Sequence, residues 1–358
     1  MISLADILPA SLAALDVAPD NQNFQIPKSK RVVVFLIDGL GFHNLVANQD
    51  AHPIVADLIS NSAQCAIPST TPVSLATLGT GLNPGEHGFV GATMFLPETN
   101  SILHPLKWET SPNPKNFQPF KTQFEIAEQN YIEVKRIGPA AYENSGLTNA
   151  VLRGGDYLAA ENLEEIRQIT NKVLHQSFPS LSYLYYPYLD RIGHVHGVNS
   201  GEWKAELTAV MDCVEKIRRS LPADTSLVVT ADHGMLDLKE RIWIEDFSSI
   251  INNVRWITGE PRFRHFYAKE SSLKALEKAL SEITQHAEVI SREEIVESQI
   301  MGEFPDEHKG RIGDFVAISK HESALCSHTI DSRVSNLIGH HGGISDTERD
   351  IPVAVLAG

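Results

Sequence analysis

The sequence predicts an α/β fold: a three-layer sandwich on a mainly parallel central sheet, with a small cap inserted late in the chain. Two observations carry this. Three short runs, Arg31 to Ile37 (RVVVFLI), Leu181 to Tyr186 (LSYLYY) and Ser226 to Thr230 (SLVVT), are rich in β-branched and aromatic residues. Such nearly continuous runs suit strands buried on both faces. Between them, Asn162 to Gln176 and Gly201 to Leu221 repeat apolar residues every three or four positions, the period of an amphipathic helix.

In chain order, the polar, Pro-bearing stretch from Asp16 to Lys30 leads into the first strand. From about Leu236 to Lys320 the pattern changes, with a helix expected over Ser271 to His286 and a short strand over Phe263 to Ala268. The expected organisation is one catalytic domain over residues 1–358, with residues 236–320 as a cap insertion within it.

Composition narrows the function. The 358 residues carry 30 Lys plus Arg against 45 Asp plus Glu, a net charge of -15. So acidic a chain repels a polyphosphate backbone, which excludes a role as a nucleic-acid scaffold. The three cysteines, Cys65, Cys213 and Cys326, are odd in number and too far apart for a zinc knuckle. They read as thiols in a reducing compartment. The start, MISLADILPASLAALDV, lacks a basic residue before its apolar stretch, and no run reaches the roughly 18 apolar residues of a membrane span. The expectation is a soluble cytoplasmic protein with no membrane partner.

Polar residues collect where the strands end. The first strand runs into Asp38-Gly39-Leu40-Gly41, and the Leu181 to Tyr186 run into Asp190-Arg191-Ile192-Gly193-His194. The Ser226 to Thr230 strand runs into Ala231-Asp232-His233-Gly234, and Gly339-His340-His341-Gly342-Gly343 lies near the C-terminus. Each segment taken alone is also an ordinary turn or loop. A parallel sheet, however, gathers the residues beyond its carboxyl ends into one crevice. Asp190 and His194, four apart, meet on one side of a helical turn. Oxygen and imidazole donors without thiolates suit Zn²⁺, Mn²⁺ or similar ions.

A nucleophile is offered by Pro68-Ser69-Thr70-Thr71-Pro72-Val73. Thr71 reads as the N-cap of a helix with Pro72 at its first position and Gly81 past its end. Capping alone explains that pattern, yet a helix N-terminus also favours an alkoxide and an incoming phosphate.

The segments FLIDGLG, PSTTPVSLATLGTGLNPGEHGFVG, YPYLDRIGHVHG, VVTADHGM and GHHGG, in this order, resemble the alkaline phosphatase superfamily. Within it, the chain is similar to the type I phosphodiesterase and nucleotide pyrophosphatase family. The resemblance implies an alkaline phosphatase-like fold and two divalent metal ions, zinc first and manganese or iron as alternatives. It places Asp190, His194 and His341 on one ion, and Asp38, Asp232 and His233 on the other, which also touches Thr71. Thr71 would attack phosphorus, giving a phosphothreonine intermediate that water hydrolyses. The neighbouring Thr70, His340 and His196 are the second choices for Thr71, His341 and His194.

One departure concerns substrate binding. Nucleotide pyrophosphatases carry an Asn soon after the His-Gly-Ile/Val stretch, where this chain reads Phe89-Val90-Gly91-Ala92-Thr93. Thr93 or a backbone N–H is expected in its place. Lys107 and Trp108, and also Arg262, Arg264 and His265, are candidates to line a substrate pocket. The expected activity is a phosphodiesterase or pyrophosphatase on a small-molecule phosphate ester. The alternatives are a phosphomonoesterase, phosphonate hydrolase or phosphomutase on the same scaffold, and a non-catalytic metal-binding protein. The sequence does not set the oligomeric state.

Overall fold

The computed structural model describes residues 1–108 and 110–357. Eleven strands build its two main sheets: β1 (Arg31–Ile37), β2 (Ser62–Gln64), β3 (Glu133–Gly138), β4 (Asp156–Ala159), β5 (Ser180–Tyr186), β6 (Thr225–Thr230), β7 (Val254–Glu260), β8 (Phe263–Ala268), β9 (Ala287–Ser291), β10 (Phe315–Ser319) and β11 (Asp350–Ala357). The central sheet has the order β2-β11-β6-β1-β5-β3-β4. Strand β1 is parallel to both β5 and β6, and β3 is parallel to β4 and β5. Strand β11 runs antiparallel to both of its neighbours, β6 and β2. The fold is α/β with a mainly parallel central sheet, as the apolar runs predict.

Burial explains why those runs are strands. Val32 to Ile37 are wholly inaccessible, and every residue of β6 is buried, so both faces of these central strands are covered. Covering is done by helices whose apolar stripes face the sheet. Helix α1 (Thr71–Thr80) is buried along its whole length. Among the others, α2 (Gly146–Val151), α3 (Leu163–Leu174), α4 (Tyr188–His196) and α5 (Gly201–Arg219), the long α5 buries Trp203, Leu207, Val210, Met211, Val214 and Ile217 at helical spacing. All three cysteines are buried and free.

Residues 254–319 form the second sheet, in the antiparallel order β7-β8-β10-β9. It has an apolar cluster of its own, including Ile257, Phe266, Leu276, Leu280 and Phe315. The helix expected over Ser271 to His286 is shorter: it covers Leu273–Leu280 and tightens into a single 3₁₀ turn over Ser281–Ile283. Amphipathic spacing continues past Leu280, but a 3₁₀ turn is how a short helix commonly closes.

Helix α1 also starts one residue earlier than its residue types suggest. Thr70, extended at φ -130°, is the cap, Thr71 is the first helical residue, and Gly81 at φ 72° ends the helix. Proline is tolerated anywhere in the first turn, so Pro72 does not distinguish the two registers. Among the described residues no helix is long and apolar enough to cross a membrane.

Candidate metal centre and cleft

Register assembles the site. Ile37 pairs with Tyr186, and Leu36 with Tyr185 and Thr230, so β1, β5 and β6 end level with one another. The chain leaving these ends delivers Asp38, Asp190 on the first turn of α4, and Asp232 with His233. Gly39, at φ 74°, is the close approach that allows this: a Cβ there would sit 2.8 Å from Cβ of Asp190.

Two groups of donors result. Asp190, His194 and His341 present ligand atoms within 4.8 Å of one another, as do Asp38, Asp190 and His233. Asp190 therefore stands between the two, nearer the second group than the sequence suggests. Asp232 joins that second group through Oδ2, 3.4 Å from His233 Nε2, while Asp38 Oδ1 lies 3.5 Å from the same nitrogen. His194 Nε2 is 3.3 Å from Asp190 Oδ2, and the rings of His233 and His341 stack with centroids 3.7 Å apart.

All three imidazoles are oriented alike. Nδ1 of His194 donates to Gly339 O at 2.8 Å, Nδ1 of His341 to Ser69 O at 2.9 Å, and Nδ1 of His233 to Gly234 O at 3.1 Å. Each Nε2 is left as the lone-pair side facing the carboxylates, the arrangement a metal-ligating histidine requires. Burial and the neighbouring His233 and His194 rings push the His341 imidazole well below its usual range, which keeps it neutral.

The carboxylates lack partners. Asp38 Oδ1, Asp190 Oδ1 and Asp232 Oδ2 are buried without a hydrogen bond. Burial, then the charges of Asp232 and Asp190, push the Asp38 carboxyl well above the usual carboxylate range, and burial raises Asp190 against the opposing pull of His194 and His233. An unpaired buried carboxylate costs about several kcal/mol. Three whose free oxygens converge with three imidazole lone pairs are a donor set that divalent cations fit.

Thr71 stands over this set at the N-terminus of α1, with Oγ1 3.1 Å from His233 Nε2. Thr70 precedes it as the N-cap residue, beside the buried carboxyl of Glu260. His340 is excluded from both donor groups, and its buried imidazole is pushed down to about 3. His196 is exposed, 3.8 Å from Glu202. Geometry thus gathers His341 and His194 rather than their alternates.

The other expected contacts lie elsewhere. A cleft of about 370 Å³ opens beside Asp38, Thr71 and Asp190, walled by Leu106, Tyr142, Tyr185, Tyr188 and Arg191 among others. Lys107 and Trp108 line a separate depression instead. Trp108 is buried against Phe89 and Phe117 and donates its indole N–H to Pro112 O, so an apolar aromatic that reads as a pocket wall is core packing. Thr93 gives its hydroxyl to Gly259 O at 3.0 Å, joining the segment to β7 rather than facing the cleft.

The basic residues of the second sheet are structural as well. Arg262 holds both oxygens of buried Glu348, and Glu348 in turn accepts from Gly343 N at 2.8 Å, which fastens the loop bearing His341. Arg264 pairs with Asp331, and His265 bridges Val90 O and Gly313 N. None of the three lines the cleft.

Two site neighbours carry no local motif. The Tyr185 hydroxyl donates to Asp38 Oδ2, and buried Glu260 lies with Oε2 3.7 Å from His341 Nδ1. The only hint of Tyr185 is the alternation Tyr183, Tyr185 along a strand that ends at the site.

With this geometry in view, comparison with known proteins is decisive. The type I phosphodiesterase / nucleotide pyrophosphatase family matches residues 32–344. The chain belongs to that family. No curated protein sequence matches it significantly. Among solved structures, murine ectonucleotide pyrophosphatase / phosphodiesterase 5 has a TM-score of 0.70 at 19% identity, covering 90% of this chain and 87% of that one. An inactive threonine-to-alanine form of that murine protein has been solved in complex with AMP. Phosphonoacetate hydrolase from Sinorhizobium meliloti 1021, in complex with phosphonoformate, has a TM-score of 0.71 at 17% identity, covering 94% and 92%. At these identities the likeness establishes the fold, which is shared over nearly the whole family member.

Proposed function

We propose that this family member is a two-metal phosphoric ester hydrolase of the phosphodiesterase and pyrophosphatase type, with Thr71 as its nucleophile. The observation that carries the reading is the convergence of three unpaired buried carboxylate oxygens and three imidazole Nε2 atoms beneath the Thr71 hydroxyl. Asp190, His194 and His341 would hold one ion, and Asp38, Asp232 and His233 the other, with Thr71 Oγ1 beside it. Zinc suits this donor set, and manganese or iron would also bind it. When bound, divalent ions lower the pKa of nearby oxygens and neutralise charge developing on phosphorus.

The chain's own residues do the rest. Thr71 is fixed by its place in the first turn of a fully buried helix, so its Oγ1 attacks phosphorus without prior ordering. The Oγ1–P bond forms as the bond from phosphorus to the departing ester oxygen breaks, and the hydroxyl proton passes to water. In a second step water attacks phosphorus, the Oγ1–P bond breaks and Thr71 regains a proton. Free backbone N–H groups at the α1 N-terminus face the phosphoryl oxygens in both steps. The cleft lined by Leu106, Tyr142 and Tyr188 takes the organic part of the ester. Residues 236–320 act as a cap within a single catalytic domain of residues 1–358, touching the metal ligands through Glu260.

The inactive threonine variant of the murine neighbour supports a threonine role on this fold. The phosphonate bound to the bacterial neighbour favours one further reading, in which a phosphonate or monoester is cut by the same residues. Purified protein supplied with Zn²⁺ or Mn²⁺ and assayed on bis-p-nitrophenyl phosphate beside p-nitrophenyl phosphate separates them. Faster release from the diester is expected. Preference for the monoester moves the assignment to the second reading, and turnover of neither contradicts both.

A further inference from the structure

The cleft beside Thr71 contains two arginines with opposite circumstances. Arg136 is engaged: its guanidinium donates to Leu152 O at 2.8 Å and Gly155 O at 3.1 Å and stacks over Tyr157. Arg191 also lines the cleft and is exposed, but among the described residues its side chain makes neither a hydrogen bond nor an ion pair. Three acidic groups share the cleft, and of these Asp38 accepts from the Tyr185 hydroxyl and faces His233. Glu161, on the same cleft wall, accepts from Ala140 N at 2.9 Å. Asp190, adjacent in sequence, points into the metal centre toward His194 and His341.

Position makes this free cation unusual. Arg191 is the fourth residue of α4, in the turn where the helix dipole disfavours positive charge. The one acid on its own helix, Asp190, is turned to His194 and His341 instead. Much of the wall is apolar or phenolic, including Pro105, Leu106, Tyr142 and Tyr188, with polar side chains such as Ser145, Thr148 and Glu161 among them, and Leu106 is 65% exposed. A ligand filling the cleft would strip water from the guanidinium and strengthen whatever it meets there. The planar fork matches a carboxylate or phosphate with two parallel hydrogen bonds.

We propose that Arg191 reads a second anionic group on the substrate. The substrate class is then phosphate esters or anhydrides that carry a carboxylate or another phosphate beyond the phosphoryl group being transferred. This deepens, and rests on, the phosphoryl-transfer reading of the metal centre. It also assigns specificity to α4, the helix that carries Asp190 and His194, rather than to the basic residues of the second sheet.

The test is calorimetric binding of two non-hydrolysable probes to the Zn²⁺-loaded protein: 3-phosphonopropionate and propylphosphonate, which differ by a carboxylate in place of a methyl. The carboxylate probe is expected to bind about tenfold more tightly. In Arg191→Gln the ratio of the two affinities falls toward one, and in Arg191→Lys it falls part of the way. Raised salt narrows the ratio in the native protein. Equal affinities in the native protein, or a ratio that survives Arg191→Gln, overturn the inference and leave the metal centre intact. Binding of neither probe overturns the phosphoryl site and this inference together.

Discussion

The Tyr185 hydroxyl donates to Oδ2 of Asp38, and Oδ1 of the same carboxylate has no partner. One oxygen is thus fixed and the other is aimed at His233 Nε2, 3.5 Å away. Outer hydrogen bonds of this kind set the orientation and basicity of a metal ligand. Tyr185→Phe keeps the ring that walls the cleft and removes only the donor. Chelator-competition titration should show divalent-ion affinity falling about 10- to 100-fold. Unchanged affinity would mean that Asp38 is held by other contacts.

Removing one of the crowded carboxylates has opposite effects on the two forms of the protein. Asp38→Asn takes a charge out of a buried cluster whose members repel one another. The metal-free variant should therefore melt above the metal-free native protein. Ligand at 100 times its Kd stabilises the native state by about 2.7 kcal/mol, and this gain should be present in the native protein and reduced in the variant. Thermal melts with EDTA and with Zn²⁺ give both comparisons.

Glu260 predicts a pH dependence. Burial, offset in part by a hydrogen bond with Thr70, pushes its carboxyl up from 4.5 to about 8. Between those values the folded chain holds a proton that the unfolded chain has lost. Stability contributed by Glu260 is full below pH 4.5 and is lost as pH rises toward about 8. In EDTA-treated protein, Glu260→Gln should melt progressively higher than native as pH is raised through that window. A constant gap would show that Glu260 ionises normally.

Gly39 is constrained twice, by its positive φ of 74° and by the 2.8 Å approach to Asp190. Gly39→Ala should cost about 1–3 kcal/mol in urea unfolding and weaken ion binding by displacing Asp190. Loss of stability without loss of metal would restrict the role of Gly39 to the backbone.

These relationships differ in how visible they are before folding. The strands and the Asp and His residues gathered beyond their ends are legible because each is a local signal, an apolar run followed by Asp, His and Gly, and parallel pairing of β1, β5 and β6 does the gathering. The start of α1 slips by one because Thr70 and Thr71 are chemically equivalent caps and only backbone angles separate them. Tyr185, Glu260 and Arg191 are illegible for another reason. Their neighbours come from sequence-distant segments, as when Glu260 of the second sheet reaches His341. Trp108 and Arg262 mislead by residue type: aromatic and basic side chains suit a pocket, yet here Phe117 and Glu348 satisfy them internally.

Thr71 is where the account can be tested most directly. Thr71→Ala removes one hydroxyl and leaves all six Asp and His donors in place. Metal analysis of the purified variant beside its hydrolysis of bis-p-nitrophenyl phosphate measures both halves of the claim. The prediction is two bound ions, as in the native protein, with turnover down by about 10³-fold or more. Turnover within a few-fold of native at full metal loading would contradict Thr71 as the nucleophile.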